Sequence, residues 1–168
     1  MDIMPWTALV FQSIPESIIL ITMGLGLIGQ YPGMKGIIAV GVAGAVFSYF
    51  FRRLPLDFGV HTLAQMMCLS LLLYFIIRVN FFEAILAAFL GMLAVGIVEG
   101  ISIPIVSYIT GISFEIALHD PWLRVLFPIP DELILGVAAY LCRRWRFSLI
   151  PDGSSLVKHS RKEKEDEK

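Results

Sequence analysis

The sequence predicts an all-α protein, a polytopic integral membrane helix bundle of about six transmembrane helices, with five as the alternative. Hydrophobic residues make up 57% of the chain and charged residues 16%, against about 45–50% and about 25% in soluble domains. The mean hydropathy is +0.79. Apolar residues also gather into long segments separated by proline, glycine and charged residues. We therefore expect a lipid bilayer to surround most of the chain.

Six apolar segments can be drawn, where one spanning helix needs about 20 residues. They are residues 17–29, 36–51, 60–77, 82–98, 101–118 and 132–141. Pro15 and Glu16 precede the first segment, so residues 1–16 are either interfacial or the start of the first helix. Glu99 and Gly100 alone separate the fourth and fifth segments, which predicts either a very tight hairpin or one long helix broken near Pro104.

The cations are unevenly distributed along the chain. Of the 13 lysines and arginines, eight follow Cys142, which favours a cell-membrane protein with a cytoplasmic C-terminus. Residues 17–147 would form the transmembrane bundle and residues 148–168 a charged, disordered tail. With six spans, Arg52 and Arg53 would share the cytoplasmic side with the tail and anchor the topology. Lys35, Arg78 and Arg124 would then lie outside.

The sequence also lacks the motifs of several classes of protein. The first cation is Lys35, so no cleavable signal peptide is expected. Cys68 and Cys142 have no partner at ligand spacing and are predicted to be free thiols. The chain contains no phosphate-binding glycine loop, no His-Glu-x-x-His and no nucleophile elbow. We therefore expect no enzyme activity, no metal, no cofactor and no nucleic-acid partner.

Charges at membrane depth cost a few kcal/mol each, so they are candidates for ligand binding or coupling. Glu16 is the first, because a helix broken at Pro15 would free backbone groups beside it; alternatively its carboxylate favours a helix N-terminus. A second set lies in and around the turn between the second and third segments: Arg52, Arg53, Asp57 and His61. The alternative there is a loop salt bridge of Asp57 and a helix-start role for His61.

A third group lies towards the last helix and consists of Glu99, Glu115, His119, Asp120, Arg124, Asp131 and Glu132. In the six-span arrangement the segment LHDPWLRVLFPIPDE is an outer loop, where recognition residues often lie. The alternative is an interfacial turn that places Trp122 and Phe127 in the aromatic belt.

Four segments carry a resemblance: IPESIILITMGLGLIG, FFRRLPLDFGVHTL, AILAAFLGMLAVGIVEG and PWLRVLFPIPDELILGVAAYLCRRW. Over residues 4–146 the chain resembles the N-terminal membrane region of Firmicute sensor histidine kinases with sporulation-phosphotransferase-like kinase modules. The likeness rests on the Arg-Leu-Pro turn with Gly59, His61 and Thr62, on Glu99, and on the proline-rich entry to the last helix.

In such kinases the last helix leads into a dimerisation helix that carries the phospho-accepting histidine. Residues 147–168 are too short for that module, and His159 lacks its apolar helical framing. The resemblance therefore implies a sensor or signalling bundle without its output domain. It would act alone, as a homodimer or with a separate kinase.

Two other functions stay open. A small six-helix protein is also similar to the substrate-binding subunits of energy-coupling-factor vitamin transporters, which work with separate transporter subunits. Small residues on the helix faces could pack against such a partner. The last alternative is a structural membrane protein whose polar residues bind no small molecule.

Overall fold

The computed structural model describes residues 6–52 and 58–149, and the regular elements in these ranges are all helices. This confirms the all-α prediction. Arg53 and Asp57 lie outside the described residues, as does most of the predicted tail. The helices are α1 Trp6–Leu27, α2 Met34–Phe51, α3 Phe58–Leu72 with its continuation Leu73–Ile77, α4 Phe81–Thr110, α5 Phe114–His119, α6 Pro121–Leu126 and α7 Ile129–Trp145.

Five helical segments of the described chain are long and apolar enough to cross a bilayer: α1, α2, α3, α4 and the stretch Trp122–Trp145 of α6 and α7. The predicted number of six spans becomes five, because the fourth and fifth predicted segments form one helix. α4 continues through Glu99 and Gly100 and ends at Thr110, where Gly111 follows with φ 68°. A break at Glu99 would expose backbone N–H and C=O groups to hydrocarbon, at several kcal/mol each. The described chain is thus a small all-α bundle with five helical segments that could cross a membrane.

Pro15 and Pro104 do not interrupt α1 and α4, whereas Pro128 lies in the short break between α6 and α7. Residues Leu9–Ser13 of α1 form a wider π-helical turn, in which the Ile14 N–H bonds to the Leu9 carbonyl. This turn lies directly before Pro15, whose ring removes one helical donor. Pro104 likewise lies inside α4. Because α1 is continuous, Glu16 lies in the interior of a helix and not at the N-terminus that the sequence suggested as an alternative.

Helix α1 is the centre of the bundle and packs against α2, α4 and α7. Two glycines allow α1 and α4 to approach closely. A Cβ atom on Gly24 would overlap the carbonyl oxygen of Ala87, and one on Gly91 would lie 2.5 Å from the carbonyl oxygen of Leu20. Such small-residue contacts let helix backbones meet in lipid, where burial of apolar surface does not drive association. The same contact fixes which faces of α1 and α4 meet further along.

One end of the bundle carries five of the seven lysines and arginines among the described residues and is called the basic end here. It contains the 28–33 and 78–80 connections and the end of α7, and its cations are Lys35, Arg78, Arg143, Arg144 and Arg146. The Arg143 guanidinium donates to the Pro32 carbonyl at 2.8 Å, which ties α7 to the 28–33 connection. The Arg146 guanidinium lies 5.9 Å from the Tyr31 ring centroid.

Arg52 ends α2 at the opposite end of the bundle, with the 111–120 connection. The expectation that it shares a side with the C-terminal cations is therefore wrong. The reason is the span count, because merging two segments into α4 reverses the side of every earlier loop relative to the C-terminus. Lys35 and Arg78 move to the basic end by the same reversal, and Arg52 loses its predicted role as an anchor beside the tail.

Tyr31 holds the basic end together from the first connection. Its hydroxyl lies 2.8 Å from the Phe147 carbonyl oxygen and 3.3 Å from that of Gly26, and it donates to them. Burial raises the pKa of this phenol above its ordinary value; the Cys142 thiol adds to the shift and Arg146 opposes it. The hydroxyl thus keeps its proton at neutral pH and remains a donor.

Candidate functional site

A cavity of about 360 Å³ lies within the end of the bundle away from the basic end. Its volume falls in the range of about 300–1,000 Å³ typical of small-molecule sites. Its wall is formed by α1, α3 and α4, by Arg52 directly after α2, and by the segment between α4 and α7. The lining residues are Gln12, Glu16, Leu20, Arg52, His61, Thr62, Gln65, Met92, Val95, Gly96, Glu99, Phe114, Ala117, Arg124, Phe127 and Pro128.

The charged residues of the cavity lie far from the basic end. With a rise of about 1.5 Å per residue, Glu16 is about 17 Å along α1 from Leu27, and Glu99 is about 27 Å along α4 from Phe81. The polar lining therefore extends from the middle of the bundle towards the end opposite the basic end. Within the roughly 30 Å hydrocarbon core of a bilayer, charged groups are costly unless they are paired or bind a ligand.

Four carboxylates form one electrostatic group, called the carboxylate group here. Its members are Glu16 of α1, Glu99 of α4, and Asp131 and Glu132 of α7. Glu16 interacts with Glu99 and Asp131, and Glu132 interacts with Glu16 and Asp131. The packing of α1 against both α4 and α7 brings them together. Two of the four, Glu16 and Glu99, line the cavity itself.

Asp131 is held behind the cavity wall by a hydrogen bond. The hydroxyl of Ser102 on α4 donates to its carboxylate, and Asp131 is only 3% exposed. Asp131 and Glu132 occupy the first turn of α7, where the helix dipole favours negative charge. Ser102 and the helix start thus give the Asp131 carboxylate two stabilising partners that Glu16 does not share.

Two guanidinium groups line the same cavity. Arg52 follows α2 and interacts electrostatically with Glu16, Glu99 and His61. Arg124 comes from α6 and is only 7% exposed. The cavity therefore presents both signs of charge, and its anionic side is enlarged by the carboxylates of α7.

Two polar atoms of the wall are fully buried without a hydrogen-bond partner among the described residues. They are Nε2 of His61 and Oε1 of Gln12. The His61 ring packs against that of Phe51, with centroids 5.8 Å apart. An unsatisfied buried polar group costs about 1–3 kcal/mol. A bound molecule that forms a hydrogen bond with either atom would remove this destabilisation, so the wall favours a polar ligand.

The structure places some of the site residues predicted from the sequence in the cavity wall and others elsewhere. The five that line the cavity are Glu16, Arg52, His61, Glu99 and Arg124. His119 and Asp120 are exposed and are not among the lining residues. Asp120 instead caps α6, because its carboxylate accepts from the N–H groups of Trp122 and Leu123 at 2.8 and 3.1 Å. Arg53 and Asp57 fall outside the described residues.

Sequence reasoning missed Gln12 and Gln65, which line the cavity, and Ser102, which supports Asp131. Each is a polar residue within an otherwise apolar helix, and that pattern is a usable signal for an inward-facing position. Gln12 lies in the π-helical turn of α1, a distortion that frequently marks functional sites.

In the described part of the chain, no group of three or more His, Cys, Asp and Glu residues is arranged to hold a metal ion. The carboxylate group therefore differs from a metal-binding cluster. Comparison of the chain with protein-family models, with curated proteins and with solved structures found no match.

Proposed function

We propose that the protein is a membrane sensor that binds a small polar ligand in the charged cavity and transmits its occupancy along α1 to the basic end. One observation carries this proposal: polar side chains from α1, α3 and α4, and from the segments after α2 and before α7, converge on one cavity between the apolar helices. Buried charges weaken a membrane bundle, so their concentration in one place favours a functional role over a purely structural one.

Helix α1 supplies the route between the two ends. Its middle contributes Glu16 to the cavity, and its last residue, Leu27, accepts a hydrogen bond from the Leu149 N–H at 2.8 Å. A ligand that favours one position of α1 would therefore favour one arrangement of the segment after α7. Differential affinity for two such arrangements is all that a sensor requires.

The proposed orientation places the basic end in the cytoplasm. Lys35, Arg78 and the three arginines after Cys142 lie there, while Arg52 and Arg124 lie towards the other end. The excess of cations favours the cytoplasmic side. The cavity would then receive its ligand from outside the cell, and the signal would leave on the side of a separate kinase or of a second copy of the chain.

A substrate-binding subunit of a transporter is the second candidate function, and the presence of the cavity favours it. The chain's likeness to such subunits rested on its size and on six predicted spans. Five candidate spans remove part of that support. The two functions differ in their partners, because a transporter subunit works with a coupling subunit and ATPases, while a sensor works with a kinase or with itself.

The test is purification from the native membrane in mild detergent, followed by mass spectrometry of the proteins and small molecules that come with the chain. We expect a polar small molecule, with a kinase or a second copy as partner. His61→Phe in the cavity wall removes the unpartnered ring nitrogen and should deplete the small molecule, and Lys35→Gln at the basic end should not. Absence of any bound molecule from the wild type would contradict the proposal, and recovery of ATPase and coupling subunits would favour the transporter.

A further inference from the structure

We infer that the cavity selects a small organic cation, whose ammonium or guanidinium group is held between Glu16 and Glu99. This inference rests on the proposed function and specifies the chemical class of the ligand.

The charges around the cavity are the first argument. Among the described residues, Glu16 and Glu99 line the cavity together with Arg52 and Arg124, and the carboxyl groups of Asp131 and Glu132 lie outside the lining but interact with Glu16. Like charges repel strongly where water is largely excluded. A ligand cation between Glu16 and Glu99 would offset the repulsion within the carboxylate group, whereas an anion would add to it.

The second argument comes from atoms other than carboxylates. Oε1 of Gln12 is a buried acceptor with no partner among the described residues, on the same wall as Glu16. It can accept an N–H from an ammonium or guanidinium group. Phe114 and Phe127 lie on the wall with ring centroids 6.0 Å apart. Aromatic faces attract organic cations, so the wall offers acceptors and rings to one ligand.

The wall carboxyl groups offset the attraction of the two guanidiniums for an anion. Arg52 already interacts with Glu16 and Glu99. Arg124 is buried and already engaged with other groups. A metal ion is disfavoured because the described residues contain no cluster arranged to ligate one. An organic cation of limited size, matched to a cavity of about 360 Å³, fits these observations best.

The experiment compares two linear probes of opposite charge on the purified protein in detergent, agmatine as the cation and glutarate as the anion, by isothermal titration calorimetry. We expect agmatine to bind and glutarate not to bind. Glu16→Gln and Glu99→Gln keep the side-chain volume and remove the charge, so each should weaken agmatine binding by at least about tenfold. Glu115→Gln is the matched control, since Glu115 is exposed on α5 and does not line the cavity.

Three results would overturn the inference: no heat of binding with agmatine, glutarate binding as tightly as agmatine, or agmatine affinity unchanged in both glutamine variants. If one variant aggregates on size-exclusion chromatography, the other variant and the comparison of the two probes still decide. The proposed function is judged separately. An anionic or neutral molecule that copurifies with the wild type and is lost in His61→Phe would support the proposed sensor and contradict the inferred cation.

Discussion

The carbonyl oxygen of Leu27, the last residue of α1, accepts a hydrogen bond from the backbone N–H of Leu149 at 2.8 Å. The first membrane helix is therefore joined directly to the segment that follows the last one. Tyr31 and Arg143 strengthen the same junction through the Phe147 and Pro32 carbonyls. Because α1 also carries Glu16, the helix that lines the cavity is the helix that ends at this junction.

Tyr31→Phe should loosen the junction at the basic end. The change removes the hydroxyl that donates to the Phe147 carbonyl and leaves the ring in place, at a cost of about 1 kcal/mol. Cys142 is 6% exposed and its thiol contacts the same carbonyl. We expect a lower unfolding temperature in detergent and faster maleimide labelling of Cys142. Tyr108→Phe is the control because Tyr108 is 90% exposed, and equal labelling in both variants would contradict the expected role of Tyr31.

Gly91→Ala should destabilise the bundle, whereas Gly100→Ala in the same helix should not. A Cβ atom at position 91 would lie 2.5 Å from the Leu20 carbonyl oxygen, and one at position 100 would meet no atom within 4 Å. Overpacking of this kind costs about 1–3 kcal/mol. Thermal unfolding of the two variants in the same detergent measures the difference. Similar unfolding temperatures would argue against the close packing of α1 on α4.

Ser102→Ala should weaken the hold on Asp131. The substitution deletes the hydroxyl that donates to this buried carboxylate, and an unsatisfied buried acceptor costs about 1–3 kcal/mol. We expect a matching loss in the free energy of unfolding, with Ser107→Ala on the same helix as the control. The double variant Ser102→Ala, Asp131→Leu should recover much of the lost free energy of unfolding, since no unsatisfied polar partner then remains. A double variant less stable than either single one would refute this account.

Lys35→Cys and Arg52→Cys should label from opposite sides of the membrane. The two residues flank α2, one at each end of a single span. A membrane-impermeant maleimide added to intact cells should modify position 52, and position 35 should react only after the cells are opened. The background protein carries Cys68→Ser and Cys142→Ser to remove the native thiols. Labelling of position 35 in intact cells, with position 52 protected, would reverse the proposed orientation.

The all-α membrane class was predictable from the sequence because it follows from composition and from the length of apolar segments. The helical cap at Asp120 could also have been predicted, since an aspartate directly before Pro121 and a helical stretch is a common helix start. The count of spans was not determined. Glu99 and Gly100 are compatible with a hairpin or a helix, and the continuous hydrogen bonding of α4 in an apolar environment decides between them.

The cavity was decided by tertiary structure. Glu16, Glu99 and Asp131 are far apart in the chain, and Glu16 and Glu99 are each an isolated charge in an apolar run. They meet because the glycine contacts of α1 with α4, and the packing of α1 on α7, turn those three helix faces towards one another. Local sequence determines which residues are helical and apolar. The long-range packing of those helices determines which charges share a space, and only that arrangement makes a candidate ligand site out of scattered carboxylates.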